Sequence, residues 1–106
     1  MPSTVSRTIW VKSGDSLKEK IEQAEPGDTI IVRKAHYRPG NMIIQKPIVL
    51  KGLDYPVLDG EFRYEVFTIA SLDVVIEGFH IINTGRSSME DMAAIKCLDA
   101  HNVILR

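Results

Sequence analysis

The 106-residue sequence has a single cysteine, seven aromatic residues per hundred and no long apolar run. One cysteine excludes an intramolecular disulfide framework. The sequence has no run of about 18 apolar residues, so no membrane-spanning helix is predicted. The N-terminus lacks the basic start and apolar stretch of a signal peptide. Lys+Arg number 13 against 14 Asp+Glu, so the basic surplus of a nucleic-acid-binding domain is missing too. These values are typical of one small globular domain.

Valine and isoleucine are abundant, at 22 residues, and they occur in short runs that turn formers separate. Branched aliphatic side chains of this kind suit pleated, half-buried strands. The runs that predict strands are 29–32, 42–44, 47–50, 56–58, 65–69, 73–76, 79–82, 94–98 and 102–105. The pattern predicts an all-β fold.

One segment, 16–24, has the pattern of an amphipathic helix instead. Its apolar stripe consists of Leu17, Ile21 and Ala24, with charged residues on the opposite face. Ser16 and Glu19 have the spacing of a capping box, in which each side chain satisfies a free backbone N–H of the first turn. A Pro-Gly pair then ends the predicted helix.

A repeat of 26 to 29 residues runs through the sequence. Residues 48–52 match 74–78 at an offset of 26, and 102–106 match 73–77 at an offset of 29. This period is too short for a propeller blade, and the leucine–asparagine ladder of leucine-rich repeats is missing. The prediction is therefore a parallel β-helix, a solenoid of about three coils.

In such a solenoid, alternation within each strand predicts which side chains point inward. The inward residues are Ile48, Leu50, Val74, Ile76, Val103 and Leu105, and the outward ones are Val49, Val75 and Ile104. We expect residues 1–27, with the helix, to cap the N-terminal end of a single domain whose coils span 28–106. The sequence stops inside a predicted strand, so we expect either a protein truncated at its C-terminus or an open edge that pairs with another chain.

Several stretches are similar to the N-terminal cap and first coil of right-handed β-helices of the pectin-lyase-like superfamily. They are Ala24 to Val32, His36-Tyr37 and Lys46 to Gly52, with a Pro-Gly-Asp turn and a Lys-Pro strand start. Ala35 stands where glycine is commoner in that superfamily. The resemblance implies a right-handed winding of the coils.

A second set of stretches resembles the NosD family more narrowly. These stretches are Tyr55 to Gly60, Ile76 to Phe79, Asn83 to Gly85 and Glu90 to Lys96. NosD-like proteins act in the periplasm with an ABC-type ATPase and permease, and they help to assemble the copper–sulfur centre of nitrous oxide reductase. The resemblance implies that this chain is the N-terminal portion of such an accessory protein, without enzymatic activity of its own.

Copper handling needs soft or imidazole ligands. Met89 and Met92, three residues apart in a polar excursion, and His80 in the preceding strand are the candidate copper ligands. Methionines in such a loop also serve as flexible hydrophobic packing. Cys97 is expected to point into the interior as a small apolar side chain.

Catalytic patterns are weak. The sequence has no Ser/His/Asp arrangement, phosphate-binding glycine loop or zinc-ligand spacing, and Glu90-Asp91 with Arg86 is its only clustered acid–base set. Asp59 is expected to form a simple turn, and His36 and His101 to lie solvated at turns.

Two alternatives to the copper-maturation role remain open. One is the N-terminal part of a carbohydrate-active β-helix, either a polysaccharide lyase or a sugar-binding module. The other is a structural solenoid that self-associates through its open C-terminal end.

Overall fold

The computed structural model describes residues 7–62, 66–83, 95–97 and 102–106, which contain one helix and eleven strands. The helix is α1 (Leu17–Gln23). The strands are β1 (Thr8–Val11), β2 (Thr29–Val32), β3 (His36–Tyr37), β4 (Met42–Ile44), β5 (Val49–Gly52), β6 (Val57–Asp59), β7 (Phe67–Ile69), β8 (Val75–Glu77), β9 (His80–Ile82), β10 (Ile95–Cys97) and β11 (Ile104–Leu105).

The strands form three sheets, and every strand pair is parallel. Sheet 1 has the order β1-β2-β5-β8-β11, sheet 2 the order β3-β6-β9, and sheet 3 the order β4-β7-β10. From β2 onward the chain visits sheets 1, 2 and 3 in turn and then returns to sheet 1 one rung further along. This is a parallel β-helix of about three turns, so the predicted fold class is confirmed.

The strand register confirms the sequence repeat. In sheet 1, Val49 lies opposite Val75, and Val75 lies opposite Ile104, which are the predicted offsets of 26 and 29. The first coil is shorter, because Thr29 lies opposite Val49. Coils of different length stack well because only the strands need to align.

The core is the column of aliphatic side chains inside the coils. Of the residues predicted to point inward, Ile48, Leu50, Val74 and Ile76 are buried, at 4% exposure or less. Leu105 differs, because it pairs with Ile76 in register yet is 46% exposed. Within the described residues, β11 is the last strand of sheet 1.

Helix α1 covers the N-terminal end of the core. It begins after Ser16, whose Oγ accepts a hydrogen bond from the Glu19 N–H at 3.2 Å. Leu17, Ile21 and Ala24 are buried as predicted. Strand β1, which precedes the helix, is a strand that the sequence analysis missed; it pairs with β2 and adds an outer rung to sheet 1.

The Pro-Gly-Asp turn after the helix is held by the buried carboxylate of Asp28. It accepts hydrogen bonds from the Glu25 N–H at 2.8 Å, the Arg7 N–H at 3.2 Å and the Arg7 guanidinium at 2.9 Å. Burial favours the neutral acid, but these bonds outweigh it and hold the Asp28 pKa below its usual range. The motif therefore fixes the segment before β1 to the start of the first coil.

The repeated glycines, Gly52 at the end of β5 and Gly78 directly after β8, are explained by close backbone stacking. Gly78 has a φ of +82°, and a Cβ placed there would lie 2.6 Å from the carbonyl oxygen of Gly52. A side chain at either position would collide with the backbone of the neighbouring coil.

Candidate functional site

The candidate functional site is the outer face of sheet 2. Tyr37 and Leu58 point inward and are buried, so their neighbours along each strand point outward. His36, Val57 and His80 lie opposite one another on β3, β6 and β9. Both histidines are exposed. Because rungs are about 4.8 Å apart, the two histidine backbones are separated by about 10 Å.

Asp59, at the end of β6, organises this face. It is 6% exposed, and its carboxylate accepts the Glu61 N–H at 2.8 Å and the Asn83 side-chain amide at 3.2 Å. His36 Nε2 lies 2.8 Å from the same carboxylate, and Arg38 Nε lies 3.9 Å from it. Hydrogen bonds to the carboxylate hold the Asp59 pKa below its usual range. The bond from the Glu61 N–H has the largest effect, followed by the bonds from the His36 ring and the Asn83 amide.

The chemistry of the His36–Asp59 contact follows from the ionised carboxylate. An ionised carboxylate only accepts hydrogen bonds, so the His36 Nε2 atom donates. In the neutral ring, Nδ1 is then left as an acceptor on a side chain that is 44% exposed. Within the described residues, no hydroxyl or thiol is hydrogen-bonded to His36, so the pair has no activated nucleophile there.

Two exposed aromatic residues flank strand β6. Tyr55 lies before the strand and Phe62 after it, with 69% and 73% of their surfaces exposed. Both have left-handed backbones, with φ values of 53° and 60°. A left-handed conformation costs about 1–2 kcal/mol for a residue with a Cβ. Bulky residues are rare in it.

The turn that carries Phe62 is built by the Asp59 cluster. Glu61, which also has a positive φ of 55°, donates its N–H to Asp59, and Phe62 donates its N–H to the carbonyl oxygen of Asn83 at 2.8 Å. Asp59 therefore both orients His36 and fixes the backbone that presents Phe62. In chemical terms the face offers two imidazoles and a guanidinium near a carboxylate that already accepts several hydrogen bonds, and the two exposed aromatic residues stand before and after its central strand.

An open cleft of about 270 Å³ adjoins this face at Arg38. It is lined by Gly14, Asp15, Ser16, Leu17, Lys18, Tyr37, Arg38 and Pro39. The Tyr37 hydroxyl donates to the carbonyl oxygen of Arg33, and burial, aided by the charge of Asp15, raises the Tyr37 pKa. The Tyr37 hydroxyl therefore stays neutral, and Lys18 and Arg38 supply positive charge beside the cleft.

The structure corrects two expectations about polar residues. His36 is exposed as expected, but it lies in strand β3 instead of a turn, and it bonds to Asp59. Asp59 does begin a turn, through its bond to the Glu61 N–H, but it is also the buried centre of a polar cluster. The spacing of 23 residues, within the range of one coil, is the sequence signal that could have paired them.

The predicted copper ligands are only partly described. His80 is exposed on β9, whereas Met89 and Met92 lie outside the described residues. The described ranges hold no group of three or more His, Cys, Asp or Glu residues that could bind a metal ion. Cys97 belongs to β10, where its backbone pairs with Ile69. Arg86, Glu90, Asp91 and His101 also lie outside the described residues.

Comparisons with known proteins give no relative. No protein family matches the chain, and neither a curated protein nor a solved structure is significantly similar to it. In the part of the chain that the structure describes, no helix has both the length and the apolar character needed to cross a bilayer.

Proposed function

We propose that this chain is a non-catalytic binding module whose outer face on sheet 2 binds a carbohydrate chain. The observation that carries the proposal is the pair of exposed aromatic residues, Tyr55 and Phe62, held in left-handed backbone at the two ends of β6. Neither ring is buried in the core. Strain without compensating packing is typical of residues kept for function.

The chemistry of a sugar ring fits this arrangement. A pyranose presents flat C–H faces, which pack on aromatic rings, and a rim of hydroxyl groups, which need donors and acceptors. On the rungs either side of β6 the face offers the exposed side chains of His36 and His80, and Arg38 Nε lies 3.9 Å from the Asp59 carboxylate. Stacked rungs also repeat at a regular spacing, which suits a ligand that is itself a chain of similar units.

The state of Asp59 supports binding over proton transfer. A general acid or base works best when its pKa lies near the working pH. Asp59 has a lowered pKa, and its carboxylate is occupied by hydrogen bonds from three other residues. We therefore assign Asp59 the role of positioning His36 and the Phe62 turn.

The test measures binding to a panel of neutral and acidic polysaccharides by affinity electrophoresis and calorimetry. Tyr55→Ala and Phe62→Ala should each weaken binding about tenfold, the loss expected from one stacking contact of about 1.4 kcal/mol. Trp10→Ala is the matched control, because Trp10 is an exposed aromatic residue on sheet 1. The proposal fails if no polysaccharide binds, or if all three variants bind equally well.

The second candidate is the NosD-type role, a periplasmic accessory function in copper-centre maturation of nitrous oxide reductase with an ABC-type ATPase and permease. Its support is the resemblance of residues 55–60, which form β6 and the turn positions on either side of it. Copper would be cargo in this role, with Met89, Met92 and His80 as its candidate ligands.

A Cu(I) titration of the purified chain tests this second role. The double variant Met89→Leu/Met92→Leu should abolish Cu(I) binding, and His80→Asn should weaken it. Met42→Leu is the control, since Met42 is fully buried in the core. Absence of Cu(I) binding, or equal binding by the double variant, would exclude these ligands.

A further inference from the structure

Two of the chain's three histidines lie in one column on the outer face of sheet 2. His36 on β3 and His80 on β9 are aligned through Val57, and both are exposed. Histidine is the side chain whose ordinary pKa lies between pH 5 and 8. Mild acid therefore adds two positive charges to this face, about 10 Å apart at the backbone.

The proton that His36 gains has a defined position. Its Nε2 atom already carries the hydrogen that the Asp59 carboxylate accepts at 2.8 Å, so the added proton binds Nδ1. A hydrogen-bond acceptor on a side chain that is 44% exposed then becomes a charged donor. Asp59 stays ionised through this change, because hydrogen bonds hold its pKa below the usual range. The contact between the two residues is kept while the exposed ring changes its chemistry.

The other charges around the histidines nearly cancel. The described part of sheet 2, the turns next to its strands and the adjoining cleft carry three positive and four negative side chains, which are Lys18, Lys34 and Arg38, and Asp15, Asp54, Asp59 and Glu61. Arg33 is not counted, because its guanidinium lies over the Trp10 ring of sheet 1. One negative charge is in excess when the histidines are neutral. When both are protonated, the excess becomes one positive charge.

A negative ligand group fits the protonated face beside Arg38. The Arg38 Nε and His36 Nε2 atoms approach the same carboxylate oxygen of Asp59, at 3.9 and 2.8 Å. The guanidinium and the imidazolium are therefore neighbours. Charged donors bind anionic oxygens more strongly than neutral donors do. Lys18 adds a third cation at the cleft that Arg38 also lines.

We propose that protonation of His36 and His80 admits acidic carbohydrate chains to the sheet 2 face, which disfavours them at neutral pH. Carboxylate and sulfate groups offer the same anionic oxygens, so either substituent meets the requirement. The change in the sign of the surface charge supplies the attraction in mild acid. This inference rests on the proposed carbohydrate binding and adds its regulation by pH.

Calorimetry of the 106-residue chain with dextran sulfate and with unsubstituted dextran tests the proposal. Dextran sulfate should bind about tenfold more tightly near pH 5.5 than near pH 7.5, because two exposed charge pairs are added at roughly threefold each. Dextran should show no such gain. Equal affinity for dextran sulfate at the two pH values, or no binding at either, overturns the proposal.

Histidine variants show whether the gain arises on sheet 2. His36→Gln/His80→Gln should remove the difference between the two pH values, since glutamine stays neutral at both. His101→Gln is the matched control, because it removes the third histidine of the chain, and it should keep the difference. The proposal is wrong if the double variant keeps the gain or if His101→Gln loses it.

A basic residue gives a further test. Arg38→Gln should weaken dextran sulfate binding about threefold at both pH values, whereas Lys51→Gln, which removes an exposed lysine of sheet 1, should not. Equal losses would show that the polymer binds through overall charge, against the proposal. Failure with dextran sulfate alone refutes only this regulation, whereas failure of every polysaccharide in the panel refutes the proposed function as well.

Discussion

The ammonium group of Lys46 lies 2.8 Å from the carbonyl oxygen of Glu22 and joins the first coil to the helix that covers it. The same group donates to the carbonyl oxygens of Ile21 and Ala24. The last carbonyls of a helix lack partners within the helix, and a cation there also interacts favourably with the helix dipole. The lysine of the Lys-Pro motif is therefore a structural cap.

Replacing Lys46 by methionine should lower the free energy of unfolding by about 1–3 kcal/mol, because methionine keeps an apolar stem and removes the charged donor. Urea unfolding followed by circular dichroism measures the effect. The control is Lys51→Met, since Lys51 makes an exposed ion pair with Glu77, and its replacement should change stability by less than about 1 kcal/mol. Equal effects of the two variants would contradict the capping role.

The stacked glycines give a second stability prediction. Gly78→Ala should destabilise the chain by more than Gly40→Ala, although both glycines have a positive φ. Gly40 has open space around its Cβ position, so alanine there costs only about 1–2 kcal/mol, the cost of a left-handed backbone with a Cβ. At Gly78 the new Cβ also collides with the backbone of Gly52. Similar urea midpoints for the two variants would show that the coils are not packed this closely.

Much of the fold could be predicted because a solenoid repeats local patterns. The 26- and 29-residue offsets predicted which strands stack, and the apolar stripe of 16–24 predicted the capping helix. Strand β1 was missed because its four residues precede the helix and lie outside the repeat. Leu105 was expected inside, but a periodic pattern does not show whether another rung covers it.

The candidate site was harder to predict. Its contacts, such as His36 with Asp59, join residues a full coil apart, and short polar residues near turns give no periodic signal. The left-handed backbone of Tyr55 and Phe62 could not be predicted from the sequence either, since neither residue type favours it. The proposed binding face thus uses positions where local preference and the observed conformation disagree.

The acid dependence of stability should reflect Asp28. Its folded-state pKa is lowered, so the ionised form stabilises the fold fully above the unfolded-state pKa of about 3.9. This contribution is lost as the pH falls through the lower folded-state pKa. Asp28→Asn should therefore reduce stability at pH 7 and flatten its decline below about pH 4.

Urea unfolding at a series of pH values between about 2 and 7 checks this expectation. Asp54→Asn serves as the control, because Asp54 is exposed in the turn after β5. The account of Asp28 is wrong if the free energy of unfolding of Asp28→Asn falls with acid as steeply as that of Asp54→Asn.

The two aromatic residues predict a trade-off between stability and binding. Tyr55→Gly and Phe62→Gly remove left-handed strain and little packing, so each should raise the free energy of unfolding by about 1 kcal/mol. Each should also weaken polysaccharide binding. A loss of stability in both variants would mean that the rings support the fold instead of a ligand.

The most direct test of the central claim is a map of backbone amide chemical shifts as an oligosaccharide from the best-binding polysaccharide is added. The account predicts that the largest shifts occur at His36, Arg38, Tyr55, Phe62 and His80, with sheet 1 around Trp10 unaffected. Shifts concentrated on sheet 1 or sheet 3, or no shifts with any ligand, would contradict a carbohydrate-binding face on sheet 2.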